Sequence, residues 1–96
     1  MMLQRLFEII EDRKQNPAEG SYTNRLLNEG YERVAQKVGE EAVEVVIAGA
    51  LQGRERTISE SADLIYHLFV LLAQQDIQLE EVEAELEKRH VRAGRK

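Results

Sequence analysis

The 96-residue chain has no cysteine and no tryptophan, a single proline and only six glycines. Without cysteine there is no disulfide framework, no thiolate zinc site and no cysteine nucleophile, and that usage fits a reducing, cytoplasmic setting. Scarce proline and glycine, beside 43% hydrophobic and 32% charged residues, exclude a low-complexity or disordered chain. Aromatics make up 5%, so the core is expected to be aliphatic. No apolar run approaches the ~20 residues that cross a bilayer. The opening Met1-Met2-Leu3-Gln4-Arg5-Leu6-Phe7-Glu8 admits an acid too early for a secretory leader, so an unprocessed soluble chain with no membrane partner is expected. A formal charge of −5 argues against nucleic acid as a partner, because phosphate-backbone binding works by exchanging counterions for lysine and arginine. It leaves free nucleotides open.

What is present is helical periodicity. Leu3, Leu6, Phe7 and Ile10 recur at helix spacing and predict a first helix over about 2–13, ended by the Asn16-Pro17-Ala18-Glu19-Gly20 stretch. Ser21 or Thr23 can cap a short second helix running through Leu27 and closed near Gly30. A third helix is expected from about Tyr31 to Leu51, a fourth from about Arg56 to Gln74 after the Gln52-Gly53 break, and a fifth from about Leu79 to His90. No strand alternation, repeat or internal boundary is visible, so residues 1–96 read as one all-α domain, a bundle of about five helices.

A chain this short buries only roughly 60–65% of the surface its unfolded form exposes. The later part of the fourth helix is apolar nearly all round, with Ile58, Leu64, Ile65, Leu68, Phe69, Val70, Leu71 and Leu72. Such a helix must be covered on several sides, which predicts that dimerisation completes the core. The basic tail over about 88–96, with Lys88, Arg89, Arg92, Arg95 and Lys96, reads as cations placed near a helix C-terminus.

Two helical stretches carry acids where core residues belong: Glu40-Glu41-x-x-Glu44 and Glu60-x-x-Asp63. Spacings of three and four put acids in short rows on helix faces. The short connection between the third and fourth helices makes them antiparallel neighbours, so the two rows face each other at comparable height. At about 100° per residue, Glu41 falls on the apolar stripe of Val34, Val38, Val45 and Ala48. Glu44 lies to one side and Glu40 further round. The same projection gathers Glu60, Asp63 and His67 in one sector, with Asp63 expected among apolar neighbours. An ionised carboxylate so placed is costly unless paired or metal-bound. Oxygen ligands from two helices suit a hard divalent cation, so Glu41, Glu44, Glu60 and Asp63 are the candidate Mg²⁺ ligands.

Ser21-Tyr22-Thr23, Lys37-Val38-Gly39-Glu40-Glu41-Ala42-x-Glu44 and Glu60-Ser61-Ala62-Asp63-Leu64-x-Tyr66-His67-Leu68 together resemble phosphoribosyl-ATP pyrophosphohydrolase, within the all-α, MazG-type nucleotide pyrophosphohydrolases. The resemblance covers roughly Phe7 to Leu86. It implies Mg²⁺-dependent hydrolysis of phosphoribosyl-ATP to phosphoribosyl-AMP and pyrophosphate, the second step of histidine biosynthesis, by a homodimer. It carries Glu41, Glu44, Glu60 and Asp63 over as metal ligands, with Glu40 a catalytic residue of less defined role. Some family members are fused to the next enzyme of the pathway; these 96 residues hold no such domain, and that step is expected to need another chain.

Around the acids, Lys37 can neutralise phosphate or pair with Glu41 one turn on. Ser21, Tyr22 and Thr23 can donate hydrogen bonds to phosphate or ribose, or simply cap a helix. His67 can orient Asp63 or contact substrate, Tyr66 reads as a packing residue with a satisfied hydroxyl, and Arg25 and Arg33 are further phosphate contacts of lower rank. Two other readings compete: a house-cleaning enzyme of the same superfamily acting on dNTPs, and a non-enzymatic helical dimerisation module whose acids are solvated or paired with Arg54 or Arg56.

Overall fold

The computed structural model describes residues 1–92. It contains five α-helices: α1 (Met2–Gln15), α2 (Tyr22–Glu29), α3 (Tyr31–Ile47), α4 (Arg54–Gln74) and α5 (Leu79–Glu87). A π-helical turn, Ala48–Gln52, continues α3, and a second, Lys88–Arg92, continues α5. Among the described residues there is no strand, as the sequence predicts. Arg95 and Lys96 of the basic tail lie outside the described residues.

The helix ends follow local chemistry. Ser21 Oγ accepts from the Asn24 amide (3.2 Å) and so caps α2. Gly30 and Gly53, both at φ 95°, supply the two sharp reversals that start α3 and α4. Side chains rarely adopt that backbone conformation. The third helix does not run on unchanged to Leu51; its last turn widens, and the Gly53 amide donates to the Ala48 carbonyl (3.1 Å). α5 opens with a reciprocal cap, in which Gln78 N–H donates to the Glu81 carboxylate (2.9 Å).

The core is small and aliphatic apart from one aromatic pair. Phe7 and Ile10 of α1, Leu26 of α2, Val34 of α3, Phe69, Val70 and Ala73 of α4 and Leu79 of α5 form a single buried cluster. Phe7 meets Phe69 edge-on at 5.4 Å between ring centres. Lys14 ties the ends of α1 and α4 together by donating to the Ala73 carbonyl (2.7 Å) and pairing with Asp76. α3 and α4 pack as an antiparallel hairpin, and this hairpin sets the height of the acidic residues.

One chain leaves much apolar surface uncovered. Val43, Val46, Ile47, Leu51 and Ile58, around the closed end of the hairpin, are 57%, 69%, 42%, 83% and 57% exposed. The Cα radius of gyration is 14.9 Å, above the roughly 12–13 Å of a compact chain of this length. No described helix is long and apolar enough to cross a membrane.

Candidate metal and nucleotide site

The acidic rows meet where the hairpin brings α3 and α4 together. One carboxylate oxygen from each of Glu41, Glu60 and Asp63 lies within 4.8 Å of the others. Glu41 and Glu60 are buried, at 6% and 4% exposure, whereas Asp63 is exposed. This corrects the expectation that Glu41 and Asp63 are the buried pair. A projection of α4 alone weighs only its own neighbours; in the folded chain, where α4 packs against α3, Glu60 is buried and Asp63 exposed. Glu44 is exposed and stands outside the three-acid cluster, near enough for its charge to act on Glu60.

Each buried glutamate uses one oxygen on a cation and leaves the other without a partner. Glu41 Oε2 lies 3.5 Å from Lys37 Nζ, and Glu60 Oε2 accepts from Arg56 Nη2 at 2.6 Å. Glu41 Oε1 and Glu60 Oε1 are buried and accept no hydrogen bond. A buried acceptor left empty costs about 1–3 kcal/mol, more when charged. Two such oxygens beside a third carboxylate have the chemistry of a hard-cation site, and Mg²⁺ fits the donor set. The Arg56–Glu60 pair, at i, i+4 on one helix, is the contact foreseen for solvated acids; here it engages only one oxygen of a buried acid.

Burial raises the Glu60 pKa above its ordinary 4.5, the Glu44 charge raises it further, Arg56 opposes, and Asp63 and Glu41 add to the rise. The folded, metal-free protein therefore holds this proton to higher pH than the unfolded chain does. The contribution favours folding below about 4.5 and is lost as pH rises through the raised value. Glu60→Gln is accordingly expected to melt at higher temperature than the parent at pH 7 in chelator, with the gap closing as pH falls toward 4.5. A gap that widens on acidification would contradict this.

Lys37, with its side chain 20% exposed, bridges Glu40 (3.6 Å) and Glu41 (3.5 Å). Burial pulls its pKa down, but Tyr22, Glu41 and Glu40 together outweigh burial and hold it above 10.5. Glu40 is exposed and also accepts from Gln36 (3.0 Å). It is the outer acid of the row.

The Ser-Tyr-Thr element reaches the same region from α2. The Tyr22 hydroxyl lies 3.2 Å from His67 Nε2, and His67 Nδ1 lies 2.7 Å from the Asp63 carbonyl oxygen. A carbonyl only accepts, so His67 Nδ1 carries a proton and donates to it, while Nε2 pairs with the Tyr22 hydroxyl. His67 thus holds Asp63 through its main-chain carbonyl and Tyr22 through its hydroxyl. Ser21 is used as the α2 cap. Thr23 is buried, with its hydroxyl hydrogen-bonded to Tyr66. Tyr66 is half-buried, and burial raises its pKa. Sequence reasoning did not foresee Asn24, which accepts from Ala18 N–H (2.8 Å) and donates to the Arg13 carbonyl (2.7 Å), pinning the 17–21 loop. An asparagine three residues after an N-cap serine was its only signal.

A family model described as Phosphoribosyl-ATP pyrophosphohydrolase matches residues 3–90. The chain belongs to the phosphoribosyl-ATP pyrophosphohydrolase family. Relatives named Phosphoribosyl-ATP pyrophosphatase include one from Metallosphaera sedula, 56% identical over 88 residues, or 92% of this chain and 95% of the relative. Another, from Clostridium acetobutylicum, is 49% identical over 89 residues, or 93% of this chain and 81% of that one. The Histidine biosynthesis bifunctional protein HisIE of Caldanaerobacter subterraneus is 48% identical over 89 residues, which are 93% of this chain and 43% of the bifunctional protein. The match to this family spans both acidic rows and the Ser-Tyr-Thr element.

Proposed function

We propose that the chain is a Mg²⁺-dependent phosphoribosyl-ATP diphosphatase, releasing pyrophosphate and phosphoribosyl-AMP in the second step of histidine biosynthesis in the cytoplasm. The observation that carries the reading is the pair of buried, unpartnered oxygens on Glu41 and Glu60, with Asp63 completing a cluster inside 4.8 Å. Glu41, Glu60 and Asp63 would hold the metal, and Glu44, on the same row and close enough to perturb Glu60, would be the fourth carboxylate available to it. The bound ion supplies positive charge against the phosphate oxygens as the anhydride breaks.

The protein's own groups do the rest. Lys37 remains an ammonium across the working pH range and presents its charge beside Glu41 to the phosphate chain. Glu40, exposed and outside the cluster, accepts the proton of the attacking water. His67 fixes the Tyr22 hydroxyl and the Asp63 main chain relative to each other, so α2 and α4 present substrate-binding groups in register. Ser21 and Thr23 act through that register: one caps α2, the other locks it to Tyr66.

The reading is tested by measuring pyrophosphate release from phosphoribosyl-ATP and from a panel of dNTPs, with Mg²⁺ and then with chelator. Release confined to phosphoribosyl-ATP and lost on chelation is expected. Preference for a dNTP would assign the chain to house-cleaning chemistry instead.

The exposed apolar residues at the closed end of the hairpin are the proposed homodimer face. Val46→Asp places a charge at a 69% exposed position, where a lone chain tolerates it. The expected result is a halved mass by light scattering, with helicity lost on dilution at higher concentration than in the parent. An unchanged mass would remove this face from the interface.

A further inference from the structure

A cleft of about 480 Å³ lies between the 17–21 loop and the outer face of α2, with Pro17, Gly20, Ser21, Arg25 and Asn28 among its walls. The acidic cluster does not line it. Asn24 fixes the loop through two main-chain hydrogen bonds, which gives the cleft a set shape. Two of its polar side chains, by contrast, are free. The Arg25 guanidinium forms no ion pair or hydrogen bond among the described residues; it lies 5.2 Å from the centre of the Tyr22 ring. The Asn28 side chain, one turn further along α2, likewise has no hydrogen-bond partner among them. Of the two acids in the walls, Glu29 is engaged by Arg33 (3.3 Å) and Glu19 is exposed.

Tyr22 links this cleft to the metal site. Its ring lies under Arg25, while its hydroxyl reaches His67 and, through it, the Asp63 main chain. Two cationic centres, Arg25 and Lys37, therefore flank one tyrosine. A nucleotide with a single phosphate chain needs only the Lys37 side. Phosphoribosyl-ATP has two anionic ends, a triphosphate on one ribose and a 5′-phosphate on a second ribose joined to the purine. Resting on the function proposed above, we infer that the Arg25 cleft receives the second, 5′-phosphoribosyl arm and so distinguishes phosphoribosyl-ATP from ATP. Arg25 takes the 5′-phosphate in a charge-assisted, fork-shaped contact, with its plane steadied on Tyr22. Asn28 adds a donor, and the Glu19 carboxylate accepts from the ribose hydroxyls, a common use of an acid in sugar recognition.

The test compares the parent with Arg25→Ala and Arg25→Lys on phosphoribosyl-ATP and on ATP, which lacks the arm. The ratio of the two kcat/KM values is expected to fall about tenfold or more in Arg25→Ala, the span of one charged hydrogen bond. Arg25→Lys, which keeps the charge but not the fork, recovers part of it. An unchanged ratio in Arg25→Ala, with the parent active on phosphoribosyl-ATP, overturns the inference and leaves the proposed function standing. A parent inactive on phosphoribosyl-ATP removes both. Independently of turnover, ribose 5-phosphate titrated into the full chain in chelator is expected to shift the amide resonances of residues 17–28 in the parent and not in Arg25→Ala. Equal shifts in both proteins, or shifts centred on the acidic cluster, overturn the inference.

Discussion

Glu41→Gln is expected to lower kcat/KM for phosphoribosyl-ATP at least about a hundredfold while the helical fold persists. Outer groups that merely orient a metal ligand cost about 10–100-fold when lost. A side chain whose free, buried oxygen faces the cation position should cost no less. Glutamine keeps the shape and still fills the site, so packing around Val34 and Ala48, both fully buried, is undisturbed. It removes a charge from a cluster of like charges, so the metal-free variant should melt no lower than the parent. Circular dichroism and pyrophosphate release on one preparation check both halves. An active variant would remove Glu41 from the ligand set, and an unfolded one would make its role structural.

Leu26→Ala is expected to be the most destabilising of the changes considered, by about 2–5 kcal/mol. Leu26 is 2% exposed and is the α2 side chain buried in the main apolar cluster, with Leu27 packed partly buried against it. An eight-residue helix does not hold itself together in water, so tertiary packing must do so. Small domains have about 5–15 kcal/mol in total, and the melting temperature should fall by about 10 °C or more. Because α2 carries Tyr22 and Arg25, pyrophosphate release should weaken below the melting temperature as well. Denaturant titration measures the loss; a change under about 1 kcal/mol would show that α2 is held by its hydrogen bonds to Tyr66 and Arg13 instead.

The helices were legible because their punctuation is chemical. Gly30 and Gly53 stand at positive φ, Ser21 caps, and the apolar stripe of α1 buries Phe7 and Ile10. The π-helical turn at Ala48–Gln52 was not, since nothing in Ala-Gly-Ala-Leu-Gln distinguishes a widened turn from an ordinary one. In the acidic rows, the spacing identified the residues, but their burial depends on how α3 sits against α4. Glu60 and not Asp63 is therefore the second buried acid. His67 shows the same limit: a four-residue spacing from Asp63 fixes proximity, while its contact with the Asp63 carbonyl and with Tyr22 of another helix is seen only in the fold. The Arg25 cleft depends on the fold of the 17–21 loop, which no periodicity describes.

Calorimetric titration of Mg²⁺ into the parent and into Glu41→Gln and Glu60→Gln, without nucleotide and after chelator has been removed, tests the central claim most directly. Binding to the parent is expected, weakened at least about tenfold by either substitution, since each removes a buried ligand oxygen. Equal Mg²⁺ affinity in all three proteins would contradict it.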